Sequence, residues 1–457
     1  MTERKRYAIV GLGSRSEMYR DAILETHRES CELVGLCDNN SGRLTDSVDW
    51  VANQGTSVPG FDAADFEKMI AETTPDCVIV TTKDSLHDHY ICRAMELGCD
   101  TITEKPMTTD EVKCKRILDI QRKTGRQCKV TFNYRYSPPR AQVKDLLMSG
   151  VIGNIISVDF HWLLDTEHGA DYFRRWHRNK ENSGGLLVHK ATHHFDLVNW
   201  WLSTIPASVF ALGNRLFYTP QTGERYGLLE RGERCNTCRE KRRCPFVLDM
   251  ESLQSLNRLY LKNEHFDGYI RDKCVFSPGI DIEDSISATV RYQNNAMLSY
   301  SLNAFAPWEG YIVTFNGTKG RLEHKCEEQV YVSGDETIPG ALKKEGTWIK
   351  IFPHFKPAYE VDIWGGEGGH GGGDPIMLRD IFEPDSVDDK YMRAADHRAG
   401  AYSILCGIAA NRSIESGKLI HIADLVPNLQ KPEFTRMPGI EEPLPLIKSK
   451  AKPWLHL

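Results

Sequence analysis

Short apolar runs alternate with stretches of helical periodicity through the first third of the chain. Tyr7–Val10, Leu33–Cys37, Cys77–Thr81, Asp100–Thr103 and Lys129–Phe132 are rich in Val, Ile and Thr and read as strands. Between them, Met18–Glu25, Phe66–Ala71, Leu86–Leu97 and Asp110–Thr124 repeat apolar residues at helical spacing. Gly98 and Gly125 stand where two of those helices should stop. Such alternation predicts a parallel sheet covered by helices on both faces.

After Tyr136-Ser137-Pro138-Pro139 the pattern changes. Ile155–Trp162, Ala207–Gly213, Ser285–Tyr292, Ala296–Asn303, Tyr311–Asn316 and Gly320–His324 read as strands that mostly follow one another directly. That predicts a largely antiparallel open sheet, and so an α+β unit behind an α/β one, divided as 1–136 and 137–457. A charged, cysteine-bearing insertion fills roughly 215–280, and a glycine-rich one lies near 365–374. The chain closes with a helix, Ala399–Ser416, and a proline-rich tail.

Composition narrows the class. The 457 residues are 40% hydrophobic and 26% charged, ordinary for a globular protein with two cores. A net charge of −6 offers no surplus of cations for nucleic acid. No run reaches the ~18 apolar residues of a membrane span. The charged start, Met1-Thr2-Glu3-Arg4-Lys5-Arg6, lacks the apolar core of a signal peptide, so a cytoplasmic location is expected. Thirteen cysteines are then reduced thiols or metal ligands rather than disulfides.

Two motifs carry chemistry. Gly11-x-Gly13-x-x-Ser16 follows the first strand and opens a helix, the setting in which backbone amides receive a pyrophosphate. Asp38 ends the next strand, at the spacing of a ribose 2′-hydroxyl acceptor. Its charge favours NAD over NADP, and nearby Arg43 tempers that preference. Glu104-Lys105-Pro106, at the end of another strand of the same unit, would put an amine near a nicotinamide ring.

With Gly-Leu-Gly-Ser-Arg at 11–15, Asp38, His87, Glu104-Lys105-Pro106, Ile282-Glu283-Asp284 and Phe315-Asn316-Gly317-Thr318-Lys319-Gly320, the sequence resembles the glucose–fructose oxidoreductase/inositol dehydrogenase (Gfo/Idh/MocA) family. The resemblance implies a Rossmann domain, a C-terminal α/β domain with an open sheet, a sugar or cyclitol hydroxyl as substrate, and a homo-oligomer. It also implies that Lys105 lies beside nicotinamide and substrate. An ammonium is disfavoured near a cationic ring, so this amine can accept a hydroxyl proton as hydride leaves. The expected cofactor set is Gly11, Gly13, Ser14, Arg15, Asp38, Thr82, His87, Glu104 and Asn133.

Gly184–Asp196 matches the family's glycine-started helix. His189, His193, Asp196 and Trp200 fall on one stripe, opposite Ala191, Phe195, Val198 and Leu202, which predicts a polar face turned away from the core. His193 matches the family's catalytic histidine. His189 stands where an acid is usual, and Lys190 adds a second amine, so Lys105, His193 and Lys190 share the acid/base assignment. Arg135, Tyr136, Tyr172, Trp176, His177, His189, His194 and Asp374 form the expected sugar-binding set, a mixture of rings and hydrogen-bonding groups. His168, Arg175 and His370 accompany them.

Cys235-x2-Cys238-x5-Cys244, with distant Cys274, reads as a structural tetrathiolate zinc site pinning the insertion; the spacing is too loose for a ferredoxin cluster. The whole reads as an NAD-dependent oxidoreductase acting on a sugar or glycoside hydroxyl. An NAD-retaining glycosidase working by oxidation, elimination, hydration and reduction is the alternative that the resemblance adds. A non-catalytic NAD or sugar sensor is the third.

Overall fold

The computed structural model describes residues 4–329, 338, 340–386 and 389–444. Strands β1 (Lys5–Val10), β2 (Cys31–Asp38), β3 (Gly60–Asp62), β4 (Cys77–Val80), β5 (Asp100–Thr103) and β6 (Cys128–Val130) form one sheet. Their order is β3-β2-β1-β4-β5-β6, and every neighbouring pair is parallel. Helices cover both faces, which is why β4 is buried at all of its residues and reads as an unbroken Cys-Val-Ile-Val run. The order reverses between β1 and β4, so a crevice opens at their carboxyl ends, where α/β sheets take ligands. Gly11 sits in that crevice with φ +89°, and a Cβ there would come within 2.7 Å of the Thr82 nitrogen. Only glycine lets these two strand ends approach so closely.

Two elements of this unit are absent from the sequence reading. The helix Ser41–Asn53 begins at Asn40, whose side chain accepts from the Arg43 N–H. Strand β3 is too short to display a period. The first helix begins at Ser14, directly on the glycine turn, rather than at Met18.

The second sheet holds β7 (Ile155–Asp165), β8 (Pro206–Asn214), β9 (Ser285–Tyr292), β10 (Met297–Ala306), β11 (Glu309–Gly317), β12 (Gly320–Glu328), β13 (Trp348–Pro353), β14 (Tyr359–Val361) and β15 (Ile420–His421). Their order is β14-β13-β12-β11-β7-β10-β9-β8-β15. All pairs are antiparallel except β7 with β10. The outer face carries polar ladders such as His161–Ser301 and Asp159–Thr314. On the inner face lie helices Ala191–Leu202 and His397–Ser416, the latter packed on the former and on β8. Helix Thr166–Arg174 rests on β10 at Gly169, where a Cβ would stand 1.7 Å from the Ala304 carbonyl oxygen.

The histidine segment departs from expectation. It forms two helices, Leu186–His189 and Ala191–Leu202, joined at Lys190, and every residue of both is buried. The predicted stripe is therefore not an exposed face. Asp196 receives Arg135 through both Nε (2.7 Å) and Nη2 (2.6 Å), and the Trp200 indole donates to the Tyr391 carbonyl. Sheet on one side and helix on the other leave no polar surround, so the polar groups pair internally. Among the described residues no helix is long and apolar enough to cross a membrane.

Candidate active site

One cavity of about 820 Å³ runs from the glycine turn and Asp38 to the first turn of the histidine segment. That is within the ~300–1,000 Å³ of small-molecule and cofactor sites. All the expected cofactor residues, Gly11, Gly13, Ser14, Arg15, Asp38, Thr82, His87, Glu104 and Asn133, line it.

At the turn end, Asp38 accepts from Leu12 N–H (2.5 Å) and Asn40 N–H (2.7 Å). Arg43 is held between Asp38 (3.1 Å) and Asp267 (2.7 Å), so the cation that might welcome a 2′-phosphate is already neutralised. Glu104 accepts from Arg15 Nε and from the Tyr19 hydroxyl at 2.6 and 2.7 Å. His87 bridges the carbonyls of Thr82 and Pro106, tying the loop after β4 to the lysine motif. Asn133 donates to Asp374 (2.8 Å), while its own Oδ1 has no partner among the described residues. A glycine turn, a helix N-terminus, a buried carboxylate and an orphaned amide oxygen suit a dinucleotide.

At the other end stand Lys105, Lys190, His189 and His193. Lys105 Nζ is 3.4 Å from the His189 carbonyl oxygen; burial lowers its ammonium, opposed in part by Asp84. His189 Nδ1 and the Asp84 carboxyl share a hydrogen bond at 2.5 Å, with burial pushing the carboxyl up and the imidazole down. The pair therefore shares a proton more readily than it separates charge. Asp84 supplies the carboxylate that the histidine segment itself lacks, but to His189 and not to His193. His193 stacks on Tyr134 (4.3 Å between ring centres), and its Nδ1 has no partner among the described residues. Burial keeps His193 neutral, and Lys190, lying over the Trp162 ring, is brought by burial down to about 8.

Tyr172, Trp176 and His177 line the same space, the last two stacked at 3.6 Å. The Tyr172 hydroxyl donates to His168 Nε2 (2.9 Å), whose Nδ1 donates to Glu309 (2.9 Å). Asp374 lines the cavity too, bonded to His370 Nδ1 at 2.7 Å, so the glycine-rich segment folds inward as part of the wall.

Three expected substrate residues lie elsewhere. Arg135 is consumed by Asp196, the Tyr136 hydroxyl bonds Asp380, and His194 stacks on Trp162 with Nδ1 toward the Tyr300 hydroxyl. Sequence reasoning missed Asp84, Tyr134, Glu309, Tyr260, Asp267 and Tyr269, which come from segments scattered along the chain.

The zinc expectation is not supported. Cys235, Cys238, Cys244 and Cys274 do converge, lining a separate cavity of about 20 Å³. Yet among the described residues no group of three or more His, Cys, Asp or Glu is arranged to hold a metal ion. Two of the sulfurs accept hydrogen bonds. Gly232 N–H donates to Cys238 (3.3 Å) and the Arg174 guanidinium to Cys235 (3.7 Å), while burial raises the thiols of Cys235 and Cys244.

A glycine turn at a Rossmann switch point, facing an amine and two histidines across one cavity, defines a nicotinamide-binding oxidoreductase. The chain belongs to the Gfo/Idh/MocA oxidoreductase family: its NAD-binding Rossmann fold matches residues 5–132 and its C-terminal alpha/beta domain residues 144–422. The Bacillus subtilis protein YteT is 37% identical over 431 residues, spanning 92% of this chain and 98% of its own. A glycosyl hydrolase family 109 protein of Shewanella baltica is 21% identical over 82% of this chain and 74% of its own. The fold is also that of the WlbA dehydrogenase from Bordetella pertussis, solved with NADH and UDP-GlcNAcA. Its TM-score is 0.61 at 19% identity, covering 92% of this chain and 99% of that one.

Proposed function

We propose that the protein is an NAD-dependent oxidoreductase acting on a hydroxyl of a sugar or glycoside. The observation that carries this reading is the position of Lys105. It stands two residues past the end of β5 in the cofactor sheet, yet its amine reaches the backbone of His189 in the other half of the cavity. Nicotinamide, when bound, supplies the hydride acceptor or donor. The chain's own residues orient the sugar and move its proton. Lys105, poised below its ordinary value by burial, takes the hydroxyl proton; His193, kept neutral by burial and lining the same cavity, fixes the same oxygen. Tyr172, Trp176 and His177 offer ring faces and hydrogen bonds to the sugar.

A second reading, the hydride-recycling glycosidase, is favoured by one feature. Tyr172, His168 and Glu309 form a proton relay distinct from Lys105, and elimination of an aglycone needs such an additional acid/base group. Similarity to a glycosyl hydrolase family 109 protein supports the same reading. A homo-oligomer is supported by the uncovered outer face of the large sheet, where Phe210, Leu212 and Met297 are exposed.

The test follows reduced-nicotinamide absorbance while a panel of glycosides is added to purified protein, with and without added NAD, and weighs the products by mass. Ketosugar formed in step with NADH establishes the dehydrogenase. Free aglycone with no lasting absorbance establishes the glycosidase instead. No turnover of any glycoside or free sugar, with or without NAD, would sink both.

A further inference from the structure

The insertion between β8 and β9 has no role in the chemistry above, yet one stretch of it, 258–269, lies against the cofactor end of the cavity. The Tyr260 hydroxyl accepts from the Ser14 N–H (3.0 Å) and donates to Ser14 Oγ (3.2 Å). It stands 3.2 Å from where a Cβ on Gly13 would be, so it faces the turn from the ligand side. Arg258 bonds Glu17 at 2.6 Å and also reaches Asp46. The Asn263 carbonyl accepts from Asn40 Nδ2 (2.9 Å), and Asp267 holds Arg43 (2.7 Å).

Resting on the nicotinamide-dependent reading, we propose that segment 258–269 is a built part of the dinucleotide site: a roof that retains the nucleotide through turnover and selects against NADP. Tyr260 caps the pyrophosphate turn, where its hydroxyl donates to a phosphate oxygen in place of Ser14 Oγ. Asp267 joins Asp38 in neutralising Arg43, so the ribose end presents net negative charge and repels a 2′-phosphate. Arg258 and Asn263 fasten the roof to the two helices of the cofactor domain that flank the turn. A nucleotide bound beneath leaves only when these ties part. A retained nucleotide suits a cycle in which hydride taken from a substrate is returned before release.

The experiment reads nucleotide retention, not turnover. Full-length protein is loaded with NADH, desalted, and chased with excess NAD while protein-bound NADH fluorescence decays. Wild type is expected to keep its nucleotide through desalting. Arg258→Ala and Tyr260→Phe are each expected to release it about tenfold faster, the worth of one hydrogen bond to a charged group. Asp267→Asn is expected to raise NADP affinity relative to NAD by about tenfold, because Arg43 loses one of its two carboxylates. Circular dichroism checks each fold, and Tyr260→Phe, the smallest change, stands if Arg258→Ala does not fold. Release within twofold of wild type together with an unchanged NADP/NAD ratio overturns the roof while leaving the NAD reading intact. A wild type that binds neither nucleotide overturns both.

Discussion

The two halves of the cavity are built on opposite rules. In the cofactor half, nearly every charge has a partner within the protein: Asp38 with Arg43, Glu104 with Arg15, Asp374 with His370. These groups hold a shape, and the ligand meets backbone amides and saturated ion pairs. In the reactive half, His193 and His177 each keep a ring nitrogen without a partner among the described residues, and two lysines have their ammonium forms lowered by burial. Those groups hold reactivity in reserve. The cofactor half closes its charges and leaves open only an amide oxygen, that of Asn133, among the groups named above, whereas the reactive half leaves imidazole nitrogens open.

The contrast breaks first at Lys105. Lys105→Met is expected to lower kcat by about 10³-fold, the scale of a lost acid/base group, while leaving nucleotide binding near wild type. Steady-state rates beside NADH titration would decide it; a parallel loss of binding would place Lys105 in the saturated half. Next is Asp196, which belongs to neither half. Asp196→Ala leaves buried Arg135 unpaired and should cost about 3–5 kcal/mol in denaturant unfolding. Asp84 bonds His189, and on the proposed function it positions that ring. Asp84→Asn should lower kcat by about tenfold and alter its pH profile, with KM for nucleotide unchanged.

The smallest effect sharpens the comparison through pH. With its amine brought down to about 8, Lys190 works as a base only above that pH. If it serves as one, log(kcat/KM) should rise through pH 8 in wild type, and Lys190→Met should lose that limb. The stability sign is independent of that role. Between pH 8 and the ordinary value of 10.5 the unfolded chain holds more protons than the folded one, so Lys190 makes stability rise across this window. Lys190→Met should make that slope shallower in thermal melts, with buried Lys105 and Lys144 still contributing.

What was legible in the sequence follows the same division. The glycine turn, Asp38 and Lys105 lie at strand ends with fixed spacing, so local periodicity locates them. Strand Ser285–Tyr292 is readable to the residue because strict alternation marks one buried face. The reactive half comes from non-adjacent segments. Asp84 and His189 are 105 positions apart, and His168 and Glu309 are 141 apart, distances that carry no periodic signal. Helical spacing correctly grouped His189 with His193 but could not show that a sheet and a second helix would bury both stripes. It also gave no warning that the helix would break at Lys190, although Lys190 was expected among the reactive groups and does line the cavity. Arg135 and Tyr136 lie close to the cavity in sequence, next to Asn133 and Tyr134, but their side chains point to Asp196 and Asp380. The four cysteines gather as their spacing suggests, but proximity in a loop does not fix where each sulfur points.

Gly169 gives the reactive half a fixed floor. The helix bearing His168 and Tyr172 touches β10 where a single methyl would collide with the Ala304 carbonyl. The depth of the cavity at this end is thus gauged by a missing carbon. Anyone wishing to refit this scaffold to a bulkier substrate has no room to lower that helix, and must widen the pocket from the Trp176–His177 rim or the inward-folded 369–374 segment.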